Sequence, residues 1–367
     1  MAIVFLKCII SDNLGDDLLI ETVCKRYSHV QFLAVTPEKV KGPQIDNLKI
    51  VRINKTLYRI IRKISLSVRD RSLVDEYYLA KNDVCVTVGG SIFMEDLRQL
   101  PSEDSGIKWY KNLKKRYYII GANIGPYYSD EYVSSLKRNV FSGACDVCLR
   151  DEKSFGLASE MNNVRMAPDI VFGCNLDRYK NIREQKRAVI SVINIHRKAN
   201  QMSSPDPERY EDLIRSIINT MRDKQYAITL MSFCKSEGDE EAIDSILAGL
   251  SNKENIETIY YRGDVDSILK RIAEAKVIFG TRFHANVLGL LMHKTVIPII
   301  YNDKTKNLLS DINFSGAFFD ANNLLADEVN KLNDKALEYK HNITPYAGTA
   351  NQHFRCLDEE LLREAEE

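Results

Sequence analysis

The sequence has no excess of charge of either sign, because 51 lysine and arginine residues balance 51 aspartate and glutamate residues. Proteins that bind nucleic acid through its phosphates carry a basic surface, and this balance gives no overall electrostatic case for one. We therefore expect no nucleic-acid partner, and any basic surface has to be local.

Long apolar runs are also missing. No run approaches the roughly 20 apolar residues that a membrane-spanning helix needs. Residues Met1–Ile10 lack the charged start, long apolar core and small-residue cleavage site of a signal peptide. We therefore expect a cytoplasmic protein.

The sequence lacks the motifs of two common kinds of ligand. Only Cys145 and Cys148 of the eight cysteines are closely spaced, and no second Cys or His pair completes a zinc site. The loop Ser11–Asp17 joins a predicted strand to a predicted helix, as in a Rossmann unit, but it has no Gly-x-Gly-x-x-Gly fingerprint. We expect no metal ion, no dinucleotide and no other cofactor.

Length and patterning predict the fold class. A chain of 367 residues is long for one hydrophobic core, so two domains are the default. Strand-like and helix-like segments alternate in both halves, which predicts an α/β protein with two Rossmann-like sheets in series. The predicted parts are an N-terminal domain at 1–175, a linker at 176–187, a C-terminal domain at 188–345 and a helical tail at 346–367.

The most informative stretch is Val277–Lys304. A short apolar strand ends there, Arg282, Phe283 and His284 follow at once, and an apolar helix-compatible segment comes next. Ligands of open α/β sheets bind beyond the carboxyl ends of the strands, and a helix N-terminus beside a guanidinium attracts phosphate or carboxylate. The stretch predicts a site for an anionic small molecule. The alternative is an arginine paired with a neighbouring carboxylate, beside a structural histidine.

Further polar residues directly follow predicted strands, where a tight turn or a surface salt bridge is the alternative to a binding role. These residues are Asn13, Gly90, Ser91, Asn123, Arg150 and Arg197. Asp16 also follows a strand, and it is either a helix cap or a catalytic carboxylate.

A basic segment, Lys55–Arg71, has six basic residues and one acidic residue. Leu57, Ile60, Ile61 and Ile64 recur in it at helical spacing, which predicts an amphipathic helix. One interpretation is a helix that packs on the sheet with a solvated basic face. The other is peripheral contact with an anionic membrane or a lipid diphosphate.

A second mixed segment, Lys108–Tyr118, combines basic residues with Trp109, Tyr110, Tyr117 and Tyr118. It could line a sugar-binding cleft, and the alternative is ordinary surface.

Taken in order, these loops resemble the polysaccharide pyruvyl transferase family. Each motif is weak alone, but the ordered series is fairly specific and runs to about residue 310. The family often has Ser where this chain has Thr281, and its glycine cluster is commonly richer than Gly89-Gly90. The matching residues are Asn13-Leu14-Gly15-Asp16, Gly89-Gly90-Ser91, Asn123-Ile124-Gly125-Pro126, Arg150-Asp151 with Ser154, Pro168-Asp169, and Thr281-Arg282-Phe283-His284-Ala285 with Tyr301 and Lys304.

The resemblance implies a fold similar to GT-B glycosyltransferases, with the active site between the domains. It also implies transfer of pyruvate from phosphoenolpyruvate to a sugar diol as a cyclic ketal, with release of phosphate and without a nucleotide. The acceptor would be a surface or capsular glycan or its lipid-linked oligosaccharide precursor. By resemblance, Arg150, Arg282 and His284 contact the donor.

His284 is also the best-placed titratable group for moving a proton, and Asp16 is the second catalytic candidate. The remaining candidates for substrate binding are Asn13, Gly90, Ser91, Asn123, Arg197, Phe283 and Lys304.

Two other functions fit the same features. A GT-B glycosyltransferase with a nucleotide-sugar donor would have a similar fold and a similar cationic cleft, but it would bind a nucleotide diphosphate. A non-catalytic glycan- or anion-binding protein would bind a ligand and release no phosphate.

Overall fold

The computed structural model describes residues 3–36, 41–69, 77–78, 84–98, 104–111, 113–197, 206–324, 329 and 332–362. The chain divides into two compact units. The first unit comprises Met1–Ser11, Asp16–Gly173 and Thr349–Glu367, and the second comprises Asp12–Gly15 and Cys174–Gly348. The C-terminal segment therefore groups with the first unit, and a short loop near the N-terminus groups with the second.

The described part of the first unit contains a seven-stranded parallel sheet with the order β3-β2-β1-β4-β5-β6-β7. Its strands are β1 (Ile3–Lys7), β2 (Gln31–Thr36), β3 (Leu48–Arg52), β4 (Val84–Val88), β5 (Arg116–Ala122), β6 (Asp146–Leu149) and β7 (Val164–Met166). The helices along this part of the chain are α1 (Leu14–Arg26), α2 (Lys55–Arg69), α3 (Ser105–Lys111), α4 (Asp130–Asn139) and α5 (Glu152–Gly156).

The strands β4, β5 and β6 are buried almost throughout because they are short, mainly apolar runs inside a parallel sheet, whereas β3 near the edge is half-buried or exposed. Every residue of β4 is buried. The rings of Trp109, Tyr110 and Tyr117 pack in the same core, and Lys7 Nζ lies 3.4 Å from the ring centroid of Trp109. The prediction that the aromatic rings of Lys108–Tyr118 line a sugar-binding cleft is therefore wrong, because these rings are buried in the core of the unit.

The second unit has a six-stranded parallel sheet in its described part, with the order β10-β9-β8-β11-β12-β13. Its strands are β8 (Arg187–Ser191), β9 (Ala227–Ser232), β10 (Ile256–Tyr260), β11 (Val277–Gly280), β12 (Thr295–Ile300) and β13 (Phe319–Asp320). Its helices are α6 (Pro207–Asp223), α7 (Asp239–Ala248), α8 (Val265–Glu274), α9 (Phe283–Leu291), α10 (Asp303–Asp311), α11 (Asp334–Glu338) and α12 (Thr344–Ala347).

Strand order identifies one position in each sheet where ligands bind. Chain order reverses between β1 and β4 in the first sheet and between β8 and β11 in the second. In doubly wound sheets the crevice at this reversal, beyond the carboxyl ends of the strands, is the ligand site. The register sets Ser191 beside Gly280, so the loops after β8 and β11 start side by side. Strand β8 ends at Ser191, and two residues later the Ile193 amide donates to the Tyr210 hydroxyl.

The basic helix forms as expected. Helix α2 begins at Lys55 and ends at Arg69, whereas the last two residues of the predicted segment, 70 and 71, lie outside the described residues. Within the described ranges, no helix is long and apolar enough to cross a membrane.

Candidate functional site

Arg282 lies where β11 ends and α9 begins. Its backbone N–H donates to Ser191 Oγ at 3.1 Å, which is possible because the register aligns the two strand ends. The guanidinium Nε donates to Asp239 Oδ2 at 3.0 Å, and Nη2 donates to the other oxygen of the same carboxylate. Nη1 donates to Glu237 Oε2 at 2.6 Å. The arginine is thus held by two carboxylates at the strand reversal of the second sheet.

The two carboxylates differ in burial. Asp239 is fully buried, and its Oδ2 also accepts the backbone N–H groups of Phe233 and Cys234, each at 2.9 Å. The side chain of Glu237 is 32% exposed. Asp239 therefore fixes the guanidinium from inside the fold, whereas Glu237 contacts it from the solvent side.

Arg282 keeps its charge in this setting. Burial opposes the charged form, but the nearby carboxylates of Asp239 and Glu237 outweigh it and hold the pKa of the guanidinium well above its usual value. Burial also raises the pKa of the neighbouring Tyr301 to about 12, so its hydroxyl is neutral at pH 7. The carboxylates of Asp239 and Glu237 accept hydrogen bonds from three of the five N–H groups of the guanidinium. These two carboxylates leave one N–H on each terminal nitrogen unused.

His284 packs against the short loop Asp12–Gly15, which belongs to the second unit. Asn13 forms an antiparallel bridge with Cys234, next to the segment that carries the two carboxylates, and its Oδ1 accepts the Gly15 N–H at 2.9 Å. A Cβ on Gly15 would collide with Nδ1 and Cε1 of the His284 ring. The absence of a side chain at Gly15 therefore makes the room that the imidazole occupies.

A second cluster surrounds Arg150 in the first unit, in the loop after β6. Its Nη1 donates to Asp169 Oδ2 at 2.9 Å, and Nη2 donates to Asn123 Oδ1 at 2.6 Å and to Ser91 Oγ at 3.5 Å. A Cβ on Gly90 would lie 2.5 Å from Nη1. The structure therefore brings together Gly90, Ser91, Asn123 and Arg150, four of the predicted residues, from the loops after three neighbouring strands.

The neighbouring motif residues explain how this loop is held. Asp151 is the N-cap of α5, and it accepts the Ser154 N–H at 2.8 Å and the Ser154 hydroxyl at 3.0 Å. The same Ser154 Oγ accepts the Ile124 N–H at 2.9 Å, which ties the loop after β6 to the loop after β5. Asp151 and Ser154 therefore position the two loops that carry Arg150 and Asn123.

Behind this cluster lies a buried histidine from the C-terminal segment. His353 is fully buried in a short 3-10 helix, and its backbone carbonyl accepts from Arg165 Nη2 at 2.8 Å. The pKa of His353 is lowered to about 4, mainly by burial; the carboxylate of Asp169 acts in the opposite direction, and the positive charge of Arg165 adds to the lowering. The first unit therefore holds a neutral histidine close to the partner of Arg150.

This histidine predicts an acid-sensitive fold. The folded-state pKa is below the ordinary value of about 6.5, so the contribution to stability is complete above pH 6.5 and decreases as the pH falls toward 4. The decrease should be about 1.4 kcal/mol per pH unit in that window. We expect His353→Gln to flatten the dependence of the urea unfolding midpoint on pH between 7 and 4. The matched control is His196→Gln, whose side chain is 63% exposed. Equal pH slopes for wild type and His353→Gln would contradict the assignment.

The other residues predicted to form the site are Asp16, Arg197, Phe283 and Lys304. Asp16 lies in the first turn of α1, where its carboxylate accepts from Ser11 Oγ at 3.5 Å, and it belongs to the first unit. Arg197 is exposed, and it donates to the Ser236 carbonyl and to Glu241, beside the segment that carries Glu237. Phe283 is half-buried and stacks edge-on with His284 at a centroid distance of 5.1 Å. Lys304 is half-buried near the start of α10.

Sequence reasoning missed the acidic side of the Arg282 site. Glu237 and Asp239 follow β9, the neighbour of β8, and this position at a strand's carboxyl end was the available signal. His353 carried no such signal, because it comes from the C-terminal segment. Among the described residues, no group of three or more His, Cys, Asp or Glu side chains is arranged to hold a metal ion.

Solved structures of similar fold place the chain in a class. One is UDP-GlcNAc 2-epimerase from Neisseria meningitidis bound to UDP-GlcNAc (TM-score 0.60, 11% identity, 99% of this chain and 100% of that chain). Another is UDP-GlcNAc 2-epimerase from Methanocaldococcus jannaschii in complex with UDP-GlcNAc and UDP (TM-score 0.57, 10% identity, 97% and 99%). A third is MurG from Acinetobacter baumannii (TM-score 0.51, 13% identity, 99% and 100%). The chain has the GT-B fold of two Rossmann-like domains, which confirms the predicted fold class.

The family follows from the sequence itself. The family model described as "Polysaccharide pyruvyl transferase" matches residues 13–303, which is most of the chain. The chain belongs to the polysaccharide pyruvyl transferase family. This confirms the resemblance predicted from the ordered loops, and it makes the protein a transferase of polysaccharide biosynthesis.

Proposed function

We propose that this protein transfers pyruvate from phosphoenolpyruvate to two hydroxyl groups of one sugar, forming a cyclic ketal and releasing phosphate. The observation that carries the proposal is the family match over residues 13–303. The acceptor we propose is a surface or capsular glycan or its lipid-linked oligosaccharide precursor. The Arg282 site supports an anionic donor, since its guanidinium is charged, fixed and located at a strand reversal.

The donor's chemistry suits a fixed guanidinium. Phosphoenolpyruvate carries a phosphate and a carboxylate, and a guanidinium can bind either one through two N–H groups. Asp239 orients Arg282 through Nε and Nη2, so the direction of the remaining N–H groups is fixed. Arg150 is proposed to bind an anion in the same manner in the first unit, and Arg197 and Lys304 are proposed to add positive charge in the second.

The reaction also needs proton transfer. Protonating the methylene carbon makes the adjacent carbon electrophilic, a first sugar hydroxyl adds to it, and a second hydroxyl displaces phosphate. One hydroxyl proton replaces the proton given to the methylene carbon, and the other leaves with phosphate or solvent. We propose that His284 moves one of these protons, because it is a titratable group held beside Arg282 at the N-terminus of α9. Asp16 remains the second candidate for such a role.

The test is the melting temperature of the purified full chain with phosphoenolpyruvate. A ligand at 100 times its Kd should stabilise the fold by about 2.7 kcal/mol, which is a readily measured shift. We expect Arg282→Lys to remove most of this shift, because lysine keeps a charge beside Asp239 but cannot bind an anion through two parallel N–H groups. The matched control is Arg187→Lys, which changes an arginine paired with Glu257 at the amino-terminal end of β8. It should respond to phosphoenolpyruvate like the wild type.

Nucleotides separate the proposal from its rivals. A melting shift with UDP and none with phosphoenolpyruvate would favour a nucleotide-sugar glycosyltransferase. UDP is a suitable probe because solved structures of similar fold were determined with UDP-GlcNAc. A melting shift with phosphoenolpyruvate, but no release of phosphate from it in the presence of any diol acceptor, would favour a non-catalytic binding protein. Either result would overturn the proposed transfer.

A further inference from the structure

Helix α2 turns apolar side chains toward solvent. Leu57, Ile60 and Ile64 are 52%, 51% and 60% exposed, although their spacing puts them on one face of the helix. Ile61, which adjoins this face, and Tyr58 beyond it are half-buried and mark the side of the helix that is covered. Packing on the sheet therefore does not account for the three aliphatic residues, which form an outward apolar stripe.

The helix that carries this stripe is well defined at its start. Asn54 Oδ1 accepts the backbone N–H groups of Thr56 and Leu57 at 3.0 and 3.1 Å, as an N-cap residue does. The stripe begins within this capped turn. Its orientation is therefore set by the local fold of the helix.

Charge on the same helix has one sign only. Lys55–Arg69 contains five basic residues and no acidic residue, in a chain whose total charge is balanced. Arg59 and Lys63 are exposed and lie four residues apart, next to the apolar stripe along the helix. The described face of this helix therefore combines exposed apolar side chains with exposed cations.

We propose that the outer face of α2 binds the surface of an anionic lipid bilayer. Leu57, Ile60 and Ile64 would enter the boundary between headgroups and acyl chains, while Arg59 and Lys63 would contact lipid phosphates. A second copy of the chain is a poorer occupant, because pairing two such helices would bring cations against cations. The proposal goes beyond the transferase reaction and does not depend on the identity of the donor.

The experiment is sedimentation of the purified full chain with vesicles of phosphatidylcholine, with and without phosphatidylglycerol. We expect binding to the anionic vesicles, weakened by added salt. Because each cation near an anionic surface contributes about 1 kcal/mol, Arg59→Gln with Lys63→Gln should weaken binding roughly 30-fold. Replacing Leu57, Ile60 and Ile64 together by Ser should weaken it by at least roughly 100-fold.

Two control variants match these changes elsewhere on the surface. Leu97→Ser with Tyr128→Ser removes apolar side chains that are 70% and 55% exposed. Lys49→Gln with Lys253→Gln removes two exposed cations outside α2. Both control variants should bind anionic vesicles with an affinity within a factor of about three of that of the wild type. This allowance covers the small loss of long-range attraction when cations are removed.

Three outcomes would overturn the proposal. The first is equal binding to neutral and anionic vesicles, and the second is equal loss of binding in the α2 variants and the controls. The third is no vesicle binding together with a dimer that the Leu57, Ile60 and Ile64 replacements dissociate, which would make the stripe a protein interface. Circular dichroism of each variant identifies any that has failed to fold, and the salt dependence of the wild type does not require a variant.

Discussion

Asp239→Asn is expected to destabilise the protein by about 3–5 kcal/mol, because it removes the buried partner of a buried guanidinium. Asp239 is fully buried and receives two N–H groups of Arg282 and two backbone N–H groups. Asparagine keeps the shape, and its single oxygen can still accept the backbone N–H groups. Its NH2 group then faces Nη2 of Arg282, so the change removes the charge and one acceptor together. The measurement is the urea unfolding midpoint of the second unit's transition, followed beside that of the wild type.

Glu237→Gln is the matched control, because it removes a carboxylate from the same guanidinium. The Glu237 side chain is 32% exposed, so solvent screens its interaction and the expected loss is within about 1 kcal/mol. The same change removes a competitor for an incoming anion on Nη1, so we expect tighter phosphoenolpyruvate binding. Equal destabilisation by both variants would contradict the view that Asp239 fixes Arg282 from inside while Glu237 only contacts it.

The fold was largely predictable because apolar runs mark its central strands. Val277–Gly280 is buried throughout, and the apolar run at its start predicted it. The strands that were missed have weaker signals. Ile256–Tyr260 mixes polar and apolar residues without regular alternation and is half-buried at the sheet edge, and Phe319–Asp320 has only two residues.

The candidate site was predictable in part. Arg282 and Arg150 were found because each directly follows a strand, which is a local feature of the sequence. The sequence did not identify the partners of Arg282, because Asp239 and Glu237 lie 43 and 45 residues away along the chain. No spacing rule connects such residues, and only the parallel order of the strands brings their loops to one edge.

The assignment of chain segments to the two compact units was the least predictable feature. The loop Asp12–Gly15 lies at the start of the sequence but groups with the second unit, where it meets Cys234 and His284. In the sequence, Gly15 suggests only a loop glycine. The structure gives it a different role, because its missing side chain makes room for a catalytic candidate.

Gly15→Ala is expected to displace the imidazole of His284 and to lower kcat/KM by about 100-fold, the order of loss that a misplacement of about 1 Å causes. A Cβ at this position would collide with the ring's Nδ1 and Cε1, so the ring has to move. Overpacking of this kind also costs about 1–3 kcal/mol of stability. The measurements are the melting temperature and phosphate release from phosphoenolpyruvate with an acceptor that supports turnover.

A double-mutant cycle with His284→Ala distinguishes the collision from a general effect of the alanine. If the ring is the obstacle, Gly15→Ala should destabilise the wild type but leave His284→Ala unchanged or slightly more stable, because alanine favours a helix more than glycine does. Gly156→Ala is the matched control, since a Cβ on Gly156 meets nothing within 4 Å at the end of α5. Additive effects of the two changes would mean that the loop and the histidine are energetically independent, and then Gly15 would have no part in positioning His284.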